Sequence, residues 1–155
     1  MLNLQANGLS NALLRSSNPK LNLIAFEPLM LKKSEAKSLK VDDLIALGKK
    51  LPQLYIYRKG GVVGQVALGE VDGREAVIIS AKERIANLGK PEPKYTTLEC
   101  RIAVLPKREF TVGKLVYIPA YSTEKILLFI KETLVARAKL VENAEVFFLQ
   151  ITEKY

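Results

Sequence analysis

The chain has 155 residues, with 24 Lys and Arg against 16 Asp and Glu, a net charge of +8 and no His. Its 48 % hydrophobic and 26 % charged content is that of a folded chain, not a disordered one, and the absence of His removes the commonest metal ligand and general base. A single cysteine, Cys100, excludes a disulfide framework, and no apolar run reaches the ~20 residues of a spanning helix, so a soluble, cytoplasmic protein is expected.

Residues 1–20 are an Asn- and Ser-rich leader, disordered by composition, in which Leu9, Leu13 and Leu14 can line one helical turn. An interaction helix is the sharper alternative. Leu21–Leu31 is an apolar run broken by Pro28, which cannot donate to a ladder; it reads as an edge strand or one interrupted by a bulge. The polar run Lys32–Ser38, with Ser34 as a turn cap, leads to the apolar Leu39–Leu47 and the loop Gly48–Gln53. Leu54–Ser80 follows as three strands, with turns at Gly60–Gly61 and Asp72–Gly73, where left-handed residues are easily supplied.

Lys82–Leu88 allows one or two helical turns ended by Gly89, and Pro91 and Pro93 then interrupt regular structure. Leu98–Leu105 alternates apolar and polar or small residues, the period of a half-buried strand, and places Cys100 on its apolar face as a core residue. Phe110–Ile118, the loop Pro119–Lys125 and the β-rich Ile126–Thr152 complete the chain.

Ile126–Thr152 repeats Leu54–Ser80 at a shift of 72. Leu54 falls on Ile126, Tyr57 on Phe129, Val63 on Val135, Leu68 on Leu140 and Ile79 on Ile151. Asp72–Gly73 falls on Ala144–Glu145, and Gly60–Gly61 on Glu132–Thr133. Upstream, Leu39–Leu47 matches Phe110–Ile118 at a shift of 71, the slip lying in the loops that hold Pro52 and Pro119. The pattern reads as an internal duplication. Units this small leave edges and a face exposed. The two copies are therefore expected to form a compact pseudo-dimer, by closing a barrel or intertwining strands.

The pieces VDDLIAL, VVGQVAL and AVIIS of the first copy, and VGKLVYI, LVARAKL and VFFLQIT of the second, resemble the SpoA (surface presentation of antigens) domain. That module closes the flagellar motor switch proteins FliN and FliM and their type III secretion relatives SpaO, YscQ and HrcQ. The resemblance runs from Leu21 to Lys154. It implies a mainly β fold of two tandem SpoA-like domains, 21–88 and 97–155, joined by a Pro-containing connector at 89–96 and packed or intertwined as an intramolecular pseudo-dimer.

The same resemblance implies a structural adaptor, not an enzyme, in a flagellar C-ring or a secretion sorting platform. Its partners would be FliM/FliN-like or SpaO-like ring subunits, the N-terminal segment of a FliH-like stator, and further copies of itself. It would sit at the cytoplasmic face of a basal body or injectisome. Candidate contact residues are apolar strand positions: Tyr55, Tyr57, Val62, Tyr117, Phe129 and Phe147. For each of them, a place in the shared core is the competing assignment.

The charge motivates an alternative, a small basic barrel that stacks bases on Tyr55 and Tyr57 beside Arg58 and Lys59. The excess of +2 in residues 1–36, +4 in 37–94 and +2 in 95–155 forms no dense block, which favours solvated surface over a phosphate stripe. A PilZ-like barrel lacks its arginine box, with no second arginine at the right spacing from Arg15. No nucleotide-binding glycine loop appears, and Asp42 and Asp43, being adjacent, would point to opposite faces of a strand, so solvated surface or turn capping is the better reading; no catalytic residue, cofactor or metal site is expected.

Overall fold

Residues 21–58, 61–82, 92–105, 110–119 and 122–155 are described by the structure, a computed structural model. They form β1 (Asn22–Phe26), β2 (Leu29–Lys32), a short helix α1 (Lys33–Lys37), β3 (Leu44–Gly48), β4 (Leu54–Arg58), β5 (Gly61–Val71) and β6 (Arg74–Ala81). Then come β7 (Tyr95–Leu105), β8 (Leu115–Tyr117), β9 (Ile126–Ile130), β10 (Thr133–Asn143) and β11 (Val146–Lys154). All eleven strands belong to one antiparallel sheet in the order β3-β11-β10-β9-β7-β1-β4-β5-β6-β8, with β2 attached to β7. The protein is mainly β.

The order shows two halves that exchange strands. One arm of the sheet is β1-β4-β5-β6 and ends in β8, from the other half of the sequence; the second is β7-β9-β10-β11 and ends in β3. Adding 72 to the β4–β5 register, Leu54↔Val66 through Arg58↔Gly61, reproduces the β9–β10 register, Ile126↔Ala138 through Ile130↔Thr133. Even the irregularity recurs, at Val63 in one copy and Val135 in the other. The β5–β6 and β10–β11 ladders agree in the same way, from Val71↔Arg74 and Asn143↔Val146 to Gln65↔Ala81 and Arg137↔Glu153. Val77↔Val116 and Leu149↔Ile45 are the matching pairs of the exchanged strands.

β1 and β7 are the third equivalent pair, joined at the centre. Leu23 faces Tyr57 as Glu99 faces Phe129, so β1 maps onto β7 at a shift of 76. Ala25 then maps onto Arg101, and those two residues also pair with each other. The pseudo-two-fold axis passes through that pair. The inner face of the sheet carries the main core: Ile24, Phe26, Ile56, Leu98, Cys100, Leu128, Leu149 and Ile151, all essentially unexposed. Burying each large aliphatic side chain of that set contributes about 1.5–3 kcal/mol.

Several expectations need correction. Leu21–Leu31 is not an edge strand: β1 is central, and the interruption reading is the one that holds. Pro28 falls in the break between β1 and β2, where no ladder bond is required of it. Ser34 caps nothing, since Lys32 holds the helix N-cap position without a side-chain hydrogen bond. Tyr95 and Thr96, placed in the connector 89–96, are already in β7, where they pair with Lys32 and Leu31. Of Leu39–Leu47 and Phe110–Ile118, only Leu44 onward and Leu115–Tyr117 are strand.

The first turn is displaced by one residue, because Gly61 already pairs with Arg58 and Thr133 with Ile130. In the second half the turn residues are Lys131 and Glu132, with φ of 47° and 65°. Gly60, the helical turns expected over Lys82–Leu88, Gly89 and Pro91 lie outside the described residues. Asp72–Gly73 is a turn as expected, with φ of 52° and 76°, matched by 51° and 66° at Ala144 and Glu145.

The segments before β3 and β8 are also equivalent. The Asp42 N–H donates to the Ile151 carbonyl (2.8 Å) and the Ile151 N–H to the Asp43 carbonyl (2.9 Å). In the other half Gly113 and Lys114 make the same pair of bonds with Ile79, at 2.7 and 3.0 Å. Asp42 and Gly113 have φ of 74° and 89°. Two residues opposite one, the first left-handed, is the bulge that favours Gly and tolerates Asp. The second residue of VDDLIAL and of VGKLVYI, Asp42 and Gly113, is that bulge.

Candidate interaction surfaces

The outer face of the sheet carries two smaller apolar clusters, one on each side of the pseudo-two-fold. Leu127 and Phe129 pack with Leu23, Val104 and Leu134. Ala25, Tyr57 and Val62 pack with Leu23 and Tyr55. Equivalent positions recur in the two sets: Tyr55 and Leu127, Tyr57 and Phe129, Val62 and Leu134.

Three of the six candidate contact residues belong here and are not exposed. Tyr57 is 8 % exposed, Val62 0 % and Phe129 3 %. Their expected role as surface contacts gives way to packing, because the centre of the sheet is buried on both faces. The Tyr57 ring stands edge-on to Tyr55 at 6.1 Å between centroids, and its hydroxyl donates to the Phe26 carbonyl at 3.4 Å. Burial, helped by the Glu99 carboxylate, holds the Tyr57 phenol neutral well above its ordinary range. Tyr55 and Phe147 are half-buried, and Tyr117 is exposed.

Sequence inspection missed Arg101. On the axis, its guanidinium bonds Glu99 at 2.8 Å and stacks 3.9 Å over the Phe129 ring, with only 5 % of the residue exposed. An alternating strand with Glu99 and Arg101 two apart was the available signal. In the first half the corresponding places hold Leu23 and Ala25, so this charged cluster occurs in one half alone.

Tyr117 sits on β8 beside an open edge. Ile79 and Ile118 donate inward to the Lys114 and Glu75 carbonyls, so by alternation Leu115 and Tyr117 turn their backbone groups away from β6. On the outer face Tyr117 and Leu115 lie opposite Ala76 and Ile78. Ile78 is 46 % exposed and Tyr117 38 %. The Arg74 guanidinium lies 4.0 Å over the Tyr117 ring, a cation–π contact at the rim of this strip. The pseudo-equivalent edge at β3 pairs Gln150 with Leu44 and Phe148 with Ala46, so it too is apolar, with Leu44 56 % exposed, but its aromatic ring is carried by β11 and not by the edge strand.

The residues suggested for base stacking do not form an exposed platform. Tyr57 is buried, and Arg58 donates through Nε to Asn22 Oδ1 at 2.8 Å in a half-buried setting; Lys59 lies outside the described residues. Cys100 is wholly buried, and burial pushes its thiol far above the ordinary range, which makes it a core residue and not a nucleophile. Among the described residues no group of three or more His, Cys, Asp or Glu could hold a metal, and no helix is long and apolar enough to cross a membrane. No protein-family model matches the chain, and a search of the curated proteins finds no match.

Proposed function

We propose that the protein is an adaptor without catalytic activity, built of two SpoA-like halves paired within one chain. It serves in the cytoplasmic ring of a flagellar motor switch or in a type III secretion sorting platform. The observation that supports this best is the reciprocal exchange of β3 and β8, with registers that agree residue for residue between the halves. Such an arrangement makes a rigid scaffold with two equivalent edges, which divergence has equipped differently: the strip Ile78, Leu115 and Tyr117 on one, Leu44 and Phe148 on the other. Exposed apolar strips of this kind are where partners bind.

On this reading the N-terminal segment of a FliH-like stator docks on the strip, and ring subunits use the remaining surface. Titration of the full chain with such segments by calorimetry tests it. Saturable binding is expected, weakened at least tenfold by Ile78→Asp with Tyr117→Asp while the melting temperature is little changed. Failure of every stator segment to bind the wild-type chain overturns the proposal.

A further inference from the structure

The β3 end of the sheet lacks the devices that keep an edge strand solitary. Among the described residues no strand pairs with the free side of β3. A charge or a proline within the strand usually blunts such an edge. Leu44–Gly48 reads LIALG instead, with neither, and Leu44, Ala46 and Gly48 are exposed. Asp42 and Asp43 bond Ile151, and Ile45 lies opposite Leu149, so by alternation Leu44 and Ala46 turn their N–H and C=O groups outward.

We infer that this edge is an interface between two copies of the chain, which pair antiparallel through β3 with Ala46 on a two-fold axis. That register matches outward groups with outward groups, so each Ala46 bonds its counterpart through both N–H and C=O. Leu44 falls opposite the partner's Gly48, where the missing side chain leaves it room. On the inner face Ile45 falls opposite the partner's Leu47. Both positions pack on the main core but are only half-buried, and the pairing covers them.

Charge commits the edge to a second copy. Asp42 and Asp43 precede β3 and Lys49 and Lys50 follow it, all four exposed. Pairing about Ala46 brings Asp43 to the partner's Lys49 and Asp42 to the partner's Lys50, and symmetry repeats both contacts. Asp42 accepts from Gln150 on Oδ1 at 3.3 Å, and Asp43 accepts the Lys40 N–H on Oδ2 at 2.8 Å, which leaves each carboxylate an oxygen for the incoming lysine. The β8 end is not self-complementary in this way: residues 110–119 include Lys114 but no Asp or Glu. A second copy on β3 leaves the Tyr117 strip free for a different partner.

Sedimentation equilibrium of the full chain, taken up to about 1 mM so that weak association registers, tests this. The mass should rise from 17.3 kDa toward twice that value. Lys49→Glu with Lys50→Glu turns the attractions into repulsions and should weaken the dimer at least tenfold. Ala46→Pro removes an outward N–H, leaves those that bond β11, and should abolish the dimer. Mild oxidation should link Ala46→Cys chains to one another faster than Leu44→Cys chains, the native Cys100 being buried. Ile78→Asp with Tyr117→Asp should leave the dimer unchanged, which separates it from any stator contact. A chain that stays at 17.3 kDa throughout overturns the inference. So does a dimer that survives the lysine changes, that dissolves with Ile78→Asp and Tyr117→Asp, or that links through position 44 before 46. If Ala46→Pro fails to fold, the lysine pair decides, since both side chains are exposed.

Discussion

Gly64 and Ala136 occupy equivalent places in the two halves, but only the second can carry a methyl group. A Cβ on Gly64 would stand 2.9 Å from the Ala81 carbonyl oxygen, 3.0 Å from Phe110 Cε2 and 3.1 Å from Ile56 Cδ1. Ala136 is wholly buried without that conflict, and the position equivalent to Phe110 is the smaller Leu39. Volume has therefore been redistributed between the copies: glycine under a phenyl ring in one, alanine with leucine in the other. Gly64→Ala should cost about 1–3 kcal/mol, an overpacking penalty. Adding Phe110→Leu should recover at least ~0.5 kcal/mol as a favourable coupling in a double-mutant cycle. Strictly additive losses in urea denaturation would show that the ring is not what excludes the methyl. The titration of buried groups is also a residue-scale matter. Cys100 and Tyr57 stay neutral in the fold, but on unfolding they ionise near 9.0 and 10.0. Their contribution is fully present below pH 9 and is lost as pH rises, because the unfolded chain then releases protons that the folded one keeps. Each group adds up to about 1.4 kcal/mol of loss per pH unit above its ordinary value. The urea midpoint should fall between pH 9 and 11, and Cys100→Ala should flatten the earlier part of that fall.

At the scale of elements, four turn positions carry a mismatch between conformation and residue. Lys131, Glu132, Ala144 and Glu145 are all left-handed, where the first half offers Asp72 and Gly73 at the second of the two turns. A left-handed residue with a Cβ costs about 1–2 kcal/mol, offset in part by the greater freedom glycine gives the unfolded chain. Glu132→Gly and Glu145→Gly should each stabilise by about 0.5–1 kcal/mol, seen as a higher urea midpoint at unchanged slope. A lower midpoint for either would mean that its carboxylate makes a contact worth more than the strain. These turns also show what the sequence made legible. Asp72–Gly73 announced a tight turn by chemistry, and its equivalence to Ala144–Glu145 followed from the shift of 72 alone. The glycines at 60 and 61 misled by one residue because the register there depends on the bulge at Val63, which a repeating apolar pattern does not reveal. Burial of Tyr57, Val62 and Phe129 was hidden for a related reason. A period of two identifies faces but not which are covered, and the central strands are covered on both.

For the whole molecule, the exchange of β3 and β8 was the feature least accessible from sequence, since partners as far apart as Val77 and Val116, or Ile45 and Leu149, leave no local trace. Duplication was readable; the choice between a closed barrel and intertwined halves was not. The topology now fixes how stability is shared. Without β8 the first arm ends at β6, whose Val77 pairs with Val116, and without β3 the second ends at β11, whose Leu149 pairs with Ile45. At the centre, β1 and β7 join the arms through Leu23↔Val104 and Ala25↔Arg101, and one inner core runs through both. Neither half keeps a complete sheet when the other opens, so the protein should unfold as one cooperative unit despite its repeat. Val116→Asp, which puts a charge on the core side of β8, tests this across the axis. Its sequence neighbours belong to the second half, but its ladder partner is in the first. Amides of β4 and β5 should lose hydrogen-exchange protection by the same free energy as those of β9 and β10, with a single melting transition of lower midpoint. Two resolved transitions, or protection lost in the β4–β5 arm alone, would contradict the shared core and leave two domains that merely touch.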